Sequence, residues 1–209
     1  LICVDFICLG TPSPKVWKDY LDTFFENELI TAVNFKDKKY GWNNFALKIS
    51  TDKKTFCCVG KQTYYFTGYY NFLYSRPSCS NCIFKGNTRA SDITLSDCWG
   101  YANIAPEMTD NNGLSCIVCH SPKGKNLYNE IIKDVNWKKM SFDDLIKYNS
   151  NYNKSAPMGE RRESFWDEYN VLDKKELFAK YCSPQEIPTN NNIVKKIVEG
   201  FKRIIGVKL

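Results

Sequence analysis

Two cysteines on a punctuated turn constrain this chain more than any other feature. The segment Arg76-Pro77-Ser78-Cys79-Ser80-Asn81-Cys82-Ile83-Phe84-Lys85-Gly86 is bounded by proline and glycine, so it reads as a turn and not as the interior of a helix or strand. Its Cys-x-x-Cys spacing brings two sulfurs close enough to hold one metal centre. Arg76, Lys85 and the following Arg89 suit a centre with net negative charge. Ser91-Asp92-Ile93-Thr94 and Asp97-Cys98-Trp99-Gly100 come next.

The rest of the chain must supply a core to carry that turn. Its 209 residues are enough for one sizeable core and a helical appendage. A hydrophobic content of 43% with 15% aromatics excludes a disordered chain. The chain starts at Leu1, as expected of a domain cut from a longer protein or of a processed form. No apolar run reaches the roughly 18 residues of a membrane span, and the Leu1–Leu9 run, broken by Asp5 and lacking a basic leader, reads as a strand and not a signal peptide. The net charge of +6 comes from lysines and arginines scattered among acids. With no dense basic stripe, a solvated surface is the reading and nucleic-acid binding is not expected. Ten cysteines fit either disulfides in a secreted chain or thiols and metal ligands in a reducing one. Several of them sit in apolar runs as small buried hydrophobes, and a chain this rich in aromatics does not need staples, so the cytoplasm is expected.

Residues 1–8 form an apolar run fit for a central strand. Gly10-Thr11-Pro12 makes the turn, Ser13 is the expected N-cap and Pro14 the first helical residue, followed by Val16, Trp17, Tyr20, Leu21, Phe24 and Phe25 at helical spacing. Runs at 31–35, 45–49 and 55–59 predict an antiparallel meander. Residues 64–74 are aromatic and helix-compatible, 92–95 and 114–119 read as strands, and Ser121-Pro122 opens a helix to about Lys133. The expected fold class is α/β or α+β, a mixed β-sheet with packed helices and a C-terminal helical extension. The polar stretch 149–158 marks a boundary, giving a domain over 1–155 and an extension over 156–209. Helices are expected at about 160–170 and 174–181. A last amphipathic one is expected at about 191–205, its basic face suited to a partner or a membrane surface, although docking on its own core is the more common arrangement.

The Cys-x-x-Cys admits three chemistries: half of a zinc site, a dithiol redox pair, or part of an iron–sulfur site. Cys116-x-x-Cys119 has the spacing of a second zinc pair, but along a strand those sulfurs diverge. A thioredoxin-like dithiol should open a helix directly after a strand, and here proline and serine precede the pair. A thiolate-bound iron–sulfur cluster needs nearby cations or N–H donors, which Arg76, Lys85 and Arg89 supply. Cys8, at the end of a strand, is a candidate third ligand and Cys98 a fourth, although either alone is more often a buried thiol. Gly10 and Thr11 lie where a helix N-terminus could hold a cofactor phosphate, with an ordinary cap the more frequent arrangement. Asp92, Thr94 and Asp97 alternate so as to line a pocket or to cap a strand, and Trp99 offers a packing corner or a platform for a flat cofactor. His120 is the only histidine, so Ser–His–acid or histidine–metal chemistry is poorly supplied.

Taken in order, several motifs share one resemblance. They are Val4-Asp5-Phe6-Ile7-Cys8-x-Gly10-x-Pro12-Ser13-Pro14-x-Val16-Trp17, Phe35-x-Asp37-Lys38-x-x-Gly41-Trp42, the Arg76–Gly86 segment, Ser91-Asp92-Ile93-Thr94-Leu95 and Trp99-Gly100, with Gly113-x-Ser115 and Lys123-Gly124. The set resembles the C-terminal domain of the coenzyme F420 hydrogenase/dehydrogenase beta-subunit family, in its bacterial members, over roughly residues 3 to 155. The resemblance implies a domain of an iron–sulfur flavoprotein oxidoreductase, in which FAD exchanges a hydride and a [4Fe–4S] cluster passes single electrons. A ferredoxin or ferredoxin-like domain is the implied redox partner, and archaeal relatives use the deazaflavin as hydride partner. Cys8, Cys79 and Cys82 match family cysteines assigned to the cluster; a further one lies in an N-terminal half absent from this chain. Leu9 stands where the family has His, and Ser96 and Cys98 replace the Gly and Phe that flank its acid. The rival readings are a structural zinc-binding domain and a cofactor-less accessory domain in a polysaccharide-synthesis pathway.

Overall fold

Segments that alternate apolar and polar residues pair as strands, and helical spacing becomes helices packed on them. In chain order the elements of the computed structural model, which describes residues 1–184, are β1 (Val4–Phe6), α1 (Pro14–Phe24), β2 (Ile30–Asp37), β3 (Ala46–Thr51), β4 (Thr55–Val59), α2 (Tyr64–Tyr70), β5 (Ile93–Asp97), α3 (Tyr101–Ile104), β6 (Ser115–Cys119), α4 (Pro122–Ile131), α5 (Phe142–Tyr148), α6 (Arg162–Glu168) and α7 (Lys174–Cys182). The mixed α/β class expected from the sequence is observed. Its strands form two three-stranded sheets, one mixed and one antiparallel. No helix among the described residues is long and apolar enough to cross a membrane. The amphipathic segment 191–205 lies outside the described residues.

The described chain forms two compact units, each discontinuous in sequence: 1–11 with 75–158, and 12–74 with 159–184. The boundary expected at about 155 falls close to the crossing at Met158, but the stretch 1–155 draws on both units. Residues 162–182 are also no appendage, because α6 and α7 complete the core of the second unit.

In that second unit β2, β3 and β4 form the expected meander, with Val33 opposite Ile49 and Leu47 opposite Cys58. Ala46, Leu47 and Ile49 of β3 are buried because this middle strand is covered along its length. Aromatic rings fill the space above it. Tyr20, Tyr65, Tyr74, Phe165, Tyr169 and Phe178 are all buried in one cluster. Buried phenol groups need acceptors, and the Tyr74 hydroxyl donates to the Tyr65 carbonyl while the Tyr169 hydroxyl donates to Asp19 at 2.6 Å. Trp166 Nε1 donates to the Leu73 carbonyl at 3.0 Å, tying α6 to the chain after α2. Ser13 occupies the N-cap position of α1 with Pro14 after it, yet its side chain makes no capping hydrogen bond. Proline at the first position removes an N–H that would otherwise need a partner, so the helix starts without one.

The first unit contains the sheet β1-β5-β6, with β1 and β5 parallel and β5 and β6 antiparallel. The apolar run at the N-terminus, expected to be a central strand, is an edge strand of three residues. Phe6, Leu95 and Ile117 stand in register across the sheet and are 65%, 40% and 41% exposed, so apolar character here does not mean burial. Ser121 caps α4 as expected, accepting from the Gly124 N–H. Gly124 is packed so tightly that a Cβ would stand 2.2 Å from the Asp92 carbonyl oxygen.

Phe178 packs edge-on against Tyr20 and Phe24, with ring centroids 5.8 and 5.7 Å away. Replacing it with alanine leaves a ring-sized cavity in a close-packed cluster. Phe178→Ala is expected to destabilise the chain by about 3–5 kcal/mol, measured as a lower urea midpoint; a shift below about 1 kcal/mol would show that α7 does not seal this core.

Candidate metal centre

The parallel pairing of β1 with β5 decides where the cysteines go. Phe6 is opposite Leu95 and the Ile7 N–H continues the ladder to the Leu95 carbonyl at 2.9 Å, so the chain leaving β1 runs over the C-terminal edge of the sheet. It turns at Gly10, whose φ of +133° lies where a side chain is strained. A Cβ there would also meet Ala156, the Ser75 hydroxyl and Cys79 at 3.4–3.7 Å. The turn aims two successive backbone donors at sulfur. Gly10 N–H points to Cys8 Sγ at 3.2 Å and Thr11 N–H to Cys79 Sγ at 3.3 Å.

The Cys-x-x-Cys segment opens with a single 3₁₀ turn at Pro77–Cys79 and is fastened on both sides. Arg76 N–H donates to the Thr11 carbonyl at 2.8 Å. Ala156 N–H donates to the Cys79 carbonyl at 3.1 Å, and Cys82 N–H to the Ser155 hydroxyl at 3.1 Å. Cys8, Cys79 and Cys82 are free thiols of intermediate exposure, open to solvent yet held by backbone.

Lys85 lies within the electrostatic reach of all three. Its Nζ donates to the carbonyls of Cys8 and Asn151, both at 2.8 Å. Burial pushes its pKa down, whereas negative charge on Cys82, Cys8 or Cys79 acts in the opposite direction, and Arg89 adds to the depression. A partly buried ammonium beside three thiol groups is the arrangement that anionic sulfur stabilises. Among the described residues, no group of three or more His, Cys, Asp or Glu side chains is arranged to hold a single metal ion.

A second network lies behind Lys85. The Arg89 guanidinium, 3% exposed, pairs with Asp5 at 2.7 Å and lies over the Tyr152 ring at 4.9 Å. The Thr94 hydroxyl donates to the other Asp5 oxygen at 2.5 Å and stands 2.7 Å from His120 Nε2. With the Thr94 proton committed to Asp5, the histidine nitrogen is the donor in that second contact. Two buried polar atoms near the turn, Arg89 Nε and Ser75 Oγ, have no hydrogen-bond partner among the described residues.

The remaining candidates are placed as follows. Asp92 is occupied by its own chain: Cys3 N–H and the Ser121 hydroxyl donate to its two oxygens, and Lys123 stands 3.5 Å away. Asp97 ends β5 and Trp99 follows it, 42% exposed. Arg76 is exposed, contributing its backbone to the turn. Cys98 is buried beside Cys116, and it is not among the cysteines acting on Lys85. Cys116 donates to Met140 Sδ at 3.5 Å whereas Cys119 reaches the Gly124 carbonyl, so the two have separate partners.

Local sequence pattern missed the outer supports. Asn151, Ser155 and Ala156 sit in a polar stretch that reads only as a boundary, and Asp5 stands out only as a break in an apolar run. The one available signal is chemical: an acid inside an apolar strand needs a partner.

A family model describing the C terminus of the beta chain of coenzyme F420 hydrogenase/dehydrogenase matches residues 1–144. No curated protein and no solved structure matches the chain.

Burial alone would raise the Asp5 pKa, but the Thr94, Arg89 and Ser91 hydrogen bonds and the Arg89 charge together hold it below its ordinary value of 3.8. A carboxylate depressed in the folded state contributes stability that is fully present above that ordinary value and is lost as pH falls through the folded one. Asp5→Asn is expected to cost about 2 kcal/mol at neutral pH, because buried Arg89 loses its counter-charge while Asp5 is itself partly screened. Urea melts of the two proteins should converge as pH is lowered from about 6 through the acidic side of the ordinary Asp value near 3.9; a gap that does not narrow would refute this role for Asp5.

Proposed function

The chain belongs to the coenzyme F420 hydrogenase/dehydrogenase beta-subunit family, as a member of its C-terminal domain, and on that premise we propose that it is the cluster-bearing domain of an iron–sulfur flavoprotein oxidoreductase. Cys8, Cys79 and Cys82 are the thiolate ligands of a [4Fe–4S] cluster, with a further ligand from outside this set. The observation that carries this reading is the pair of backbone N–H groups, from Gly10 and Thr11, aimed at Cys8 Sγ and Cys79 Sγ beside Lys85. Hydrogen bonds to ligating sulfur and a nearby cation are what a buried anionic cluster requires.

When bound, the cluster passes single electrons to a flavin, FAD in this reading, that exchanges a hydride with its partner, a deazaflavin in archaeal relatives. The chain's own residues hold and tune. Gly10 keeps both amides in line, because its φ of +133° is strained for any residue that carries a side chain. Lys85 offsets thiolate charge and anchors the Cys8 and Asn151 carbonyls. Arg89, oriented by Asp5 and Tyr152, keeps its Nε–H available for a flavin carbonyl or phosphate oxygen. Asp97 ends β5 and Trp99 lies just beyond it, at the edge where the Cys8 loop leaves β1, and in this reading they wall the flavin. Thr94 and His120 provide a hydrogen-bonded path from Asp5 to an exposed imidazole. A ferredoxin or ferredoxin-like domain delivers the electrons, and ligating thiolates of this kind belong in the reducing cytoplasm.

The test is anaerobic reconstitution of the chain with iron, sulfide and FAD, followed by iron, sulfide and flavin analysis. Wild type is expected to bind about four irons with a broad absorption near 400 nm from thiolate-bound iron. Cys79→Ser should lose more than nine-tenths of the iron while keeping its circular dichroism spectrum. Unchanged iron in Cys79→Ser, or zinc in place of iron in wild type, would sink the assignment.

A further inference from the structure

A second set of sulfur donors lies in the first unit, away from the residues that act on Lys85. Cys98 directly follows β5 and Cys116 belongs to β6. The two strands are antiparallel, with Ser96 opposite Cys116, and the Cys98 N–H extends the ladder to the Leu114 carbonyl at 2.8 Å. That register brings the two thiols within hydrogen-bonding reach of one another. Both are 5% exposed. Met140 arrives from the loop before α5 and places its Sδ 3.5 Å from Cys116 Sγ. All three residues line one cavity of about 730 Å³, which also carries Lys125, Lys138 and Lys139.

We propose that Cys98, Cys116 and Met140 form a binding site for a soft monovalent cation of the copper(I) type. Two thiolates and a thioether are the donors that select such an ion over zinc or iron, which prefer four ligands or harder ones. Three sulfurs about a common metal at ~2.3 Å stand roughly 4 Å apart, from thiolate–metal bond lengths, and the 3.5 Å between Cys116 Sγ and Met140 Sδ needs only a small opening. Binding forms three metal–sulfur bonds and releases two thiol protons to solvent, with no change of oxidation state. The product carries one net negative charge, which the cavity lysines offset. Of these, Lys138 already pairs with Glu107 at 2.8 Å and Lys125 lies 4.5 Å from the Tyr128 ring. Burial and the neighbouring Cys98 push the Cys116 thiol up to about 12, so its proton leaves only in exchange for the metal, and the Ser96 hydroxyl acts in the direction of the thiolate. The cavity provides the entry path that a buried ligand set needs. Cys98 stands where the family motif has Phe, so this site does not follow from the family reading.

The experiment is a competition titration on the full chain, reduced and anaerobic, with copper(I) held by the chromophoric chelator bicinchoninate. The cysteine turn is itself soft, so the chain also carries Cys79→Ser. This protein is expected to take one copper(I) from the chelator, with sulfur alone in the metal's first shell by X-ray absorption. Adding Cys116→Ala should weaken retention at least 100-fold. Met140→Leu, which preserves core volume, should weaken it about tenfold and is the variant least exposed to misfolding. Equal retention with and without Cys116→Ala would overturn the proposal. So would a reduction-resistant Cys98–Cys116 disulfide found by thiol alkylation and mass measurement. Neither result bears on the iron content of the Cys8, Cys79 and Cys82 set.

Discussion

The first unit depends on one backbone turn. Gly10 adopts a φ of +133°, and that conformation lets two successive amides face Cys8 Sγ and Cys79 Sγ instead of solvent. Peptide donors are rigid and uncharged, so they stabilise sulfur anions without the mobility of a lysine side chain. The Cys-x-x-Cys segment has one short 3₁₀ turn of its own and takes the rest of its shape from what it touches. The Thr11 carbonyl, the Ser155 hydroxyl and the Ala156 N–H hold it in place. Lys85 then closes the arrangement by binding the Cys8 and Asn151 carbonyls together.

Behind the turn the same economy recurs. Asp5 binds Arg89 and Thr94, Thr94 meets His120, and Arg89 lies on Tyr152. Arg89, Thr94 and the partly buried Asp5 are polar groups that burial alone would disfavour, and each is kept by a neighbour. Such a network specifies one arrangement of the strand edge, because removing any partner strands a buried charge or hydroxyl. The second unit is built differently. Interlocking aromatic rings over β3 supply area and shape, and the few phenol and indole groups inside find carbonyl or carboxylate acceptors.

Much of the local structure is legible in the sequence. The meander at β2–β4, the Ser121 cap of α4 and the helices at α6 and α7 follow from alternation, capping chemistry and helical spacing, which are properties of neighbouring residues. The N-terminal strand departs from expectation, since an apolar run reports a preference for burial and not the presence of a covering layer. Phe6, Leu95 and Ile117 show this by standing exposed in register. The units also cannot be read from the chain. Residues 12–74 form their core with residues near 160–180, and no local signal announces a partner that distant.

Within the candidate centre, the sequence by itself determined which chemistry was on offer: a Cys-x-x-Cys turn, cations beside it, a glycine in the turn after the first strand, and an ordered set of motifs that marks the family. Only the tertiary structure decided which groups meet. It brought Cys8 to Cys79 through the parallel pairing of β1 and β5, and it drew Ser155 and Asn151 from a stretch that looked like a linker. It also turned Cys98 toward Cys116. The reason is that residue type and spacing encode donors and turns. Register and the closing of long loops determine the distances between them, and those depend on every strand and helix at once.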